Sequence, residues 1–517
     1  MLRRIIYFLL VAWLLLFLGW LVLQLNWFDE WPPHESVQDG LAIAFGILYP
    51  VLTVVAVYGV IRRGSRPAKT IAWMLVVIAL PIAGVILYSF IGFNLRKEKL
   101  FTRKQARDLQ TIDELVDRQL IEFEQADQHE SPVVRNHRRL AQLQLRSGKF
   151  LLMSGNRARV LQDGEETFEA IFAAMEQAQS FIHIEYYIFE EGDLADRIAD
   201  ILLRKVKQGV RARLAYDGVG SWNLSKEYCQ RLQDAGVEVF PFMPVRFGPL
   251  ANRLNYRNRR KIVVVDGQVG FTGGINVSDK YIHGDPELGH WRDTHLRLEG
   301  RAVNFLQYIF LTDWQFVSGQ NLLTAEHFPK HESVGPTPVQ ISASGPDSDY
   351  ASIHQTFVSM LYEAREYIYL ANAYLIPDES LLMALKTTAL SGVDIRVMVP
   401  EASDSFVVKW SARSYLEELL VAGVKIYFYQ KGFLHSKVIV ADDELASVGT
   451  ANLDIRSFEQ NFELNALMYD ADIARQLKAR FMTDTKDSRQ LDLKTYQQRP
   501  RLDRVKESVF RVLSPVL

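Results

Sequence analysis

The chain has a single cysteine, Cys229, among 517 residues. One thiol excludes an intramolecular disulfide framework and any zinc or iron–sulfur site built from several cysteines. It leaves the redox compartment open, and it offers a probe for labelling from either face of a membrane. An excess of charge of one sign is also missing. Lys and Arg total 59 and Asp and Glu 61, a net charge of −2, which argues against a protein that coats nucleic acid. No cluster of carboxylates stands out as a metal site. At 48% hydrophobic and 23% charged residues the chain is neither disordered nor collagen-like. Its length passes the ~250–300 residues at which single cores stop growing, so more than one domain is expected.

Charge is absent locally as well. Residues 5–25 (IIYFLLVAWLLLFLGWLVLQL), 40–61 and 71–93 contain no charged side chain. Each run exceeds the ~18 apolar residues that identify a candidate spanning helix. A cleaved signal peptide is disfavoured for the first, because no small-x-small site follows Leu25. Pro81 and Gly84 in the third keep a re-entrant hairpin open. Residues 1–95 therefore read as a membrane anchor with two or three spans. Its orientation is contradictory. Arg3, Arg4 and the basic loop Arg62, Arg63, Arg66 and Lys69 favour the inside, and the acidic loop Asp29–Asp39 the outside. Three spans would then leave the next basic cluster, Arg96 to Arg107, outside. Either one run is re-entrant or that cluster lies on anionic headgroups.

Beyond residue 150 the chain repeats itself. Arg259-Arg260-Lys261-Ile-Val-Val-Val-Asp266 precedes Phe271-Thr-Gly-Gly-Ile-Asn276, and His435-Ser436-Lys437-Val-Ile-Val-Ala-Asp442 precedes Ser447-Val-Gly-Thr-Ala-Asn452. The differences 437 − 261, 442 − 266 and 452 − 276 all equal 176. Short β-branched runs alternate with helical patterns in both copies, which predicts two α/β halves packed against each other. Alternation along a strand puts residues two apart on one face, so Arg259 with Lys261, and His435 with Lys437, point the same way. Two such strands facing each other bring two lysines and two asparagines to one point. With a histidine in each copy, that point suits a phosphodiester: one imidazole attacks phosphorus, the other protonates the leaving alkoxide, and Lys and Asn stabilise the charge on the non-bridging oxygens. This chemistry needs neither metal nor cofactor. Asp266 and Asp442 read as strand ends with a supporting role. A catalytic histidine needs an acceptor on its far nitrogen. Glu463 is placed to serve His435 from the following strand, and Asp293 occupies the similar place in the first copy.

At these residues the sequence resembles the phospholipase D superfamily, whose signature His-x-Lys-x4-Asp occurs twice. More narrowly it resembles the bacterial cardiolipin synthases. The narrower likeness rests on AWMLVVIALPIAGVILY in the anchor, IEYYIF at 184–189, NYRNRRKIVVVDG, FTGGIN, WRDTH at 291–295, SGPD at 344–347 and GTANLDIRS at 449–457. The resemblance implies transfer of a phosphatidyl group between two phosphatidylglycerol molecules, giving cardiolipin and glycerol through a phosphohistidine. Phosphatidylethanolamine stays open as an acceptor. It further implies a multi-pass protein of the bacterial cytoplasmic membrane, anionic phospholipids as partners and no nucleic acid. A second copy of the chain is kept among the candidate partners. The alternatives from other classes are a hydrolase of the same superfamily and a phospholipid-binding protein of weak turnover.

One position departs from the signature. The resemblance assigns the nucleophile to the first-motif histidine, and here that position is Arg259. An arginine stays protonated and cannot attack phosphorus at neutral pH, although it can bind a phosphate. His283, His290 and His295 lie beyond the following strand. Three readings follow: a synthase of strongly reduced turnover, an enzyme that uses His435 as nucleophile, or a lipid-binding protein that no longer turns over. The intact Lys261, Asp266, Gly273 and Asn276 favour the first.

The expected organisation is therefore an anchor at 1–95, a connecting helical segment at 96–150, a first half at 151–323, a linker at 324–340 marked by Pro329, Pro336 and Pro338, a second half at 341–499, and an amphipathic segment at 500–517. In that last segment Arg501, Arg504, Lys506 and Arg511 mix with Val509, Phe510, Val512 and Leu513. It either lies on a headgroup layer or packs on the domain. Glu185, Tyr186, Tyr187 and Phe189 are expected to build a core strand.

Overall fold

The computed structural model describes residues 50–62 apart from Leu52, 67–79, Gly84, Tyr88, 115–123, 131–243, 256–512 and Ser514. The chain forms two compact units, one made chiefly of residues 1–94 with 247–255, the other of the remaining residues. The first apolar run, 5–25, lies outside the described residues. In the first unit, helical residues 53–62 and the helix Pro67–Ala79 bury Ala56, Val60, Trp73, Val77 and Tyr88 together. Gly84 is needed there, because a Cβ would lie 2.5 Å from the carbonyl oxygen of Val76. Val54, Tyr58, Ile61, Ile71, Leu75 and Ile78 face outward and are exposed. Among the described residues no helix is long and apolar enough to cross a membrane.

The second unit is built on one sheet of 15 strands. From its centre, the first half runs Met153–Gln162, Thr294–Glu299, Val269–Gly273, Ile262–Val265, Phe181–Tyr186, Arg211–Asp217 and Glu238–Phe242. In the other direction the second half runs Thr337–Ser344, Glu463–Tyr469, Leu445–Gly449, Lys437–Ala441, Tyr367–Asn372, Asp394–Pro400, Lys425–Tyr429 and Ser488–Gln490. The order is the same in both, with three parallel strands outermost apart from Ser488–Gln490. The halves fuse where Met153–Gln162 pairs antiparallel with Thr337–Ser344. Residues 337–340, assigned to the linker by their prolines, thus belong to the central seam. Pro338 is tolerated because Met153↔Val339 and Asn156↔Thr337 are separated by a register shift that leaves its missing N–H unneeded.

The motif strands Ile262–Val265 and Lys437–Ala441 are buried along their whole length, which is why they read as continuous β-branched runs rather than alternating ones. Helices cover both faces of the sheet. Asp163–Glu176 and Asp193–Lys207 close the first half, and Ser352–Glu363 and Glu379–Leu390 the second. On the opposite face Ala302–Ser318 and Ala471–Asp484 bury a core to which both halves contribute, with Leu296, Trp314, Ile341, Val440 and Phe481 in one cluster. The connecting segment supplies helices Pro132–Asn136 and Arg138–Gly148, whose Val134, Leu140 and Leu145 join the core of the second half. Cys229 is half-buried against the Tyr216 hydroxyl, and burial raises its thiol pKa, so it is a poorer labelling site than a lone cysteine promises.

Asp266 and Asp442 hold the repeat together from the far end of the motif strands. Both have left-handed backbone, at φ 53° and 52°. Asp266 accepts the N–H groups of Gln179, Ser180 and Phe181 at 2.7–2.8 Å. Asp442 accepts those of Arg365, Glu366 and Tyr367 at 2.7–3.0 Å. Each aspartate therefore caps the loop that enters the neighbouring parallel strand, and the strict spacing of the motif reflects a turn. Asp266→Ala is expected to destabilise the protein by about 2 kcal/mol or more, since charge-assisted bonds are lost and a Cβ residue without a polar side chain is left at positive φ. Asp266→Asn should lose less. Urea unfolding of the three proteins checks this order.

Candidate active site

The segment before the first motif strand is fixed by buried charge. Arg257 pairs with Asp217 at 3.1 Å, and the Asn258 N–H donates to the same carboxylate at 2.9 Å. Asn258 Nδ2 also bonds Glu185, and Arg260 pairs with Asp313 at 2.6 Å. Burial and the adjacent Asp313 raise the Glu185 pKa well above the usual carboxylate range. Glu185 lies in the buried core strand Phe181–Tyr186, as expected, and also bonds this polar cluster. The alternation of the chain then directs Arg259 and Lys261 the other way. Both line a cavity of about 450 Å³, with Lys437 and His435 from the second half.

The acids Asp293 and Glu463 are exchanged between the halves. Gly432–Leu434 pairs in parallel with His290–Arg292, with Leu434 opposite Arg292, so His435 falls beside Asp293. Its backbone N–H donates to Arg292 O at 2.7 Å, and its Nδ1 lies 2.7 Å from Asp293 Oδ2. In mirror fashion Asn258 bridges Phe462 in parallel, and the Arg259 N–H donates to Phe462 O at 2.9 Å. Arg259 therefore falls beside Glu463. This corrects the assignment of Glu463 to His435. Each motif is completed by the acid of the opposite half, because the parallel pairing of these short segments crosses the interface. Gly274 makes room for the exchange, since a Cβ there would lie 2.1 Å from Asp293 Oδ1. At the equivalent place in the second half, Thr450 Oγ1 donates to Glu463 at 2.5 Å.

Electrostatics follow from burial. Desolvation, reinforced by Lys437, lowers the His435 pKa to about 4 against the pull of Asp293. The ring is neutral at pH 7, and with its Nδ1 hydrogen given to Asp293 it keeps a lone pair on Nε2. The Tyr281 hydroxyl lies 3.1 Å from Nδ1 and braces the ring. Burial, with help from Lys437 and Arg259, brings Lys261 down to about 7 against the opposing pull of Glu463. Burial also brings Lys437 to about 8 against Asp293. Each lysine curls back on its own strand, Lys261 donating to Arg259 O at 2.8 Å and Lys437 to His435 O. Arg259 behaves differently. Burial opposes its charge, but Tyr187 and the carboxylates of Glu463 and Asp454 outweigh that and raise its pKa. Its guanidinium lies 5.3 Å from the centre of the Tyr187 ring. Its buried Nε has no hydrogen-bond partner among the described residues. The centre is thus a cationic pocket that an anion would complete.

The remaining expected residues divide. Asn276 lines the cavity, donating to the Tyr281 hydroxyl at 3.1 Å and accepting the Ile188 N–H at 3.2 Å. Asn452 is buried, with both amide atoms unpaired among the described residues, and does not line the cavity. Asp266 and Asp442 are not at the cavity either. His295 is buried, with its pKa lowered by desolvation to about 3 and both ring nitrogens unpaired among the described residues. Arg292 reaches between the halves to Asp484 at 3.1 Å. Sequence reasoning missed Tyr187, Tyr374, Ser403 and Asp404, which line the cavity. Tyr374 donates to Asp404 at 2.5 Å. Their signal was position: all follow the C-terminal ends of parallel strands, where α/β sheets bind ligands.

Two fused α/β copies, each presenting a lysine of its motif strand to one shared cavity, define a phospholipase D-like protein. Residues 171–314 and 357–485 match the family described as "Cardiolipin synthase, PLD-like domain", and residues 51–92 match "Phospholipase_D-nuclease N-terminal". A cardiolipin synthase of Geobacillus sp. (strain WCH70) is 44% identical over 473 residues, 91% of this chain and 93% of that one. A probable cardiolipin synthase of Bacillus subtilis (strain 168) is 40% identical over 481 residues, 91% and 93% of the two chains. The crystal structure of phosphatidylserine synthase from Haemophilus influenzae Rd KW20 has the same fold, with 14% identity, a TM-score of 0.55, and coverage of 75% of this chain and all of that one. The chain belongs to the cardiolipin synthase family of phospholipase D-like proteins.

An anion bound between the lysines should restore their protons. Calorimetry of glycerophosphoglycerol binding in buffers of different ionisation enthalpy is expected to show proton uptake at pH 8, where Lys261 and Lys437 are partly neutral in the empty site. At pH 5 both lysines are already charged and their share of the uptake should vanish, leaving only the proton taken up by His435, which His435→Ala removes. Lys261→Arg should remove much of the pH 8 uptake.

Proposed function

We propose that this chain is a membrane-anchored phosphatidyltransferase that joins two phosphatidylglycerol molecules into cardiolipin and releases glycerol, with turnover held down by Arg259. The observation that carries the reading is the cavity itself. It gathers Lys261, Lys437 and a carboxylate-oriented His435 from two copies of one motif, in a chain whose relatives are cardiolipin synthases over nine-tenths of its length. The anchor reading is supported by apolar side chains on both the packed and the outward faces of the helical segments between 53 and 79.

With a histidine at position 259, as in the family signature, that imidazole would attack the phosphorus of one phosphatidylglycerol, forming a P–N bond as the P–O bond to glycerol breaks; in this chain Arg259 stands there instead. His435 gives its proton to the departing alkoxide. The same ring then takes the proton of a hydroxyl on the second phosphatidylglycerol, whose oxygen attacks phosphorus and breaks the P–N bond. Lys261 and Lys437 bind the non-bridging oxygens. The incoming anion raises the proton affinity of His435, which in the empty cavity is too low for an acid. Arg259 retains the phosphate-binding half of this scheme and removes the attacking half. Water is the competing acceptor. A membrane surface favours the lipid hydroxyl by holding it at high local concentration.

Restoring the imidazole tests the reading. With phosphatidylglycerol vesicles, Arg259→His should raise formation of cardiolipin and glycerol by roughly 10³-fold or more, and adding His435→Ala should abolish the gain. Unchanged turnover on Arg259→His contradicts the role given to position 259. Phosphatidic acid as the main product would make the protein a hydrolase instead.

A further inference from the structure

The C-terminal helix Arg501–Arg511 is turned outside in. The face it packs on the domain is largely polar, with Phe510 its one large apolar group among the described residues. Glu507 is buried, accepting from Arg499 at 2.7 Å and from the Tyr496 hydroxyl at 3.1 Å. Lys506 lies 4.6 Å over the Trp410 ring, and Arg511 pairs with Glu418 at 2.6 Å. The opposite face presents Leu502, Val505, Val509 and Val512, which are 64, 57, 55 and 65% exposed. Their spacing of three, four and three makes one continuous stripe. A helix whose sole partner was its own domain would bury that stripe and expose Glu507.

A second feature places the stripe. In each half the middle parallel strand, Arg211–Asp217 or Asp394–Pro400, is followed by a loop near which an aromatic side chain is exposed: Trp222 in the first loop at 64%, and Phe406, which opens the helix Phe406–Arg413 after the second, at 61%. Both loops stand at the pole where the cavity opens, because the adjacent parallel strands are followed by the cavity residues Tyr187 and Tyr374, and the second loop itself contributes Ser403 and Asp404 to the cavity wall. Phe406 packs edge-on against Phe510, with ring centres 5.5 Å apart, so the stripe adjoins this pole. Arg501 and Arg504 are exposed beside the stripe.

We propose that this pole is a docking surface for an anionic lipid bilayer. The valine and leucine stripe enters the acyl boundary, Trp222 and Phe406 sit at headgroup depth, and Arg501 and Arg504 meet anionic headgroups. The cavity mouth is thereby held against the layer that supplies its substrates. A bilayer fits better than a protein partner because exposed apolar and aromatic groups from three separate segments stand toward the same pole as a cationic cavity and carry a basic flank. The proposal rests on the reading that the substrates are bilayer lipids, but its test does not require turnover.

The full chain carrying Cys229→Ser is reconstituted in phosphatidylglycerol-containing vesicles. A bimane label is placed either at Val509→Cys or at Gln208→Cys, an exposed residue at the opposite pole. The label at 509 should be blue-shifted and quenched by lipids carrying a doxyl group on the acyl chain, and the label at 208 should be neither. Equal, weak quenching at both positions overturns the proposal. So does a blue shift at 509 without doxyl quenching, which would show that a second copy or another protein surface covers the stripe. In the Arg259→His background, Val505→Glu with Val509→Glu should slow turnover of vesicle phosphatidylglycerol by about tenfold or more, and leave turnover of a monomeric short-chain phosphatidylglycerol unchanged. Equal loss on both substrates also contradicts docking. Quenching at 509 with no turnover of either substrate supports docking and removes the enzymatic reading.

Discussion

The site depends on a parallel pairing of two short segments across the interface of the halves. Leu434 sits opposite Arg292, and Asn258 opposite Phe462. One residue further along each pair, an acid of one half meets the motif residue of the other. His435 is oriented by Asp293, and Arg259 faces Glu463. Neither half alone holds its first motif residue in a working geometry, so fusion of the two sheets and formation of the cavity are one event. A shared core containing Trp314 and Phe481 lies beneath the seam, and Arg292 ties it to Asp484.

Burial then decides the electrostatics. Three basic side chains line one cavity with the fully buried Asp293 and Glu463 behind them, and none of these groups is well solvated. Desolvation lowers both lysines toward neutrality and leaves His435 uncharged. Arg259 alone keeps its charge, because guanidinium holds its proton far more tightly than imidazole or ammonium. Arg259 therefore keeps the anion-binding character of the cavity.

Much of this was legible in the sequence. The repeat at 176 residues fixed the two-half α/β fold, because buried strands must be apolar and their strict spacing survives in both copies. The motif lysines and His435 were found for the same reason. The exchange of acids was not legible. The two acids repeat at 463 − 293 = 170 positions, and only long-range strand pairing reveals which motif each one serves. Asp266 and Asp442, expected as strand ends with a supporting role, close turns at positive φ, which is what their strict spacing reflects. Tyr187, Tyr374 and Asp404 carry no pattern of their own and become site residues only through the strand ends they follow. The apolar run at 5–25 falls outside the described residues, and the structure adds outward-facing apolar side chains to the parts of the other two that it describes.

The central claim is that the two motifs form one site in which position 259 belongs to the attacking group and His435, held by Asp293, belongs to the proton. Its most direct measurement is the location of the covalent intermediate. The chain as it stands and the Arg259→His variant are mixed with phosphatidylglycerol, quenched in base to preserve a phosphoramidate, digested and read by mass spectrometry. The account predicts no adduct on the unchanged chain and a phosphatidyl group on the imidazole introduced at position 259. A phosphatidyl group on His435 in either protein would contradict it.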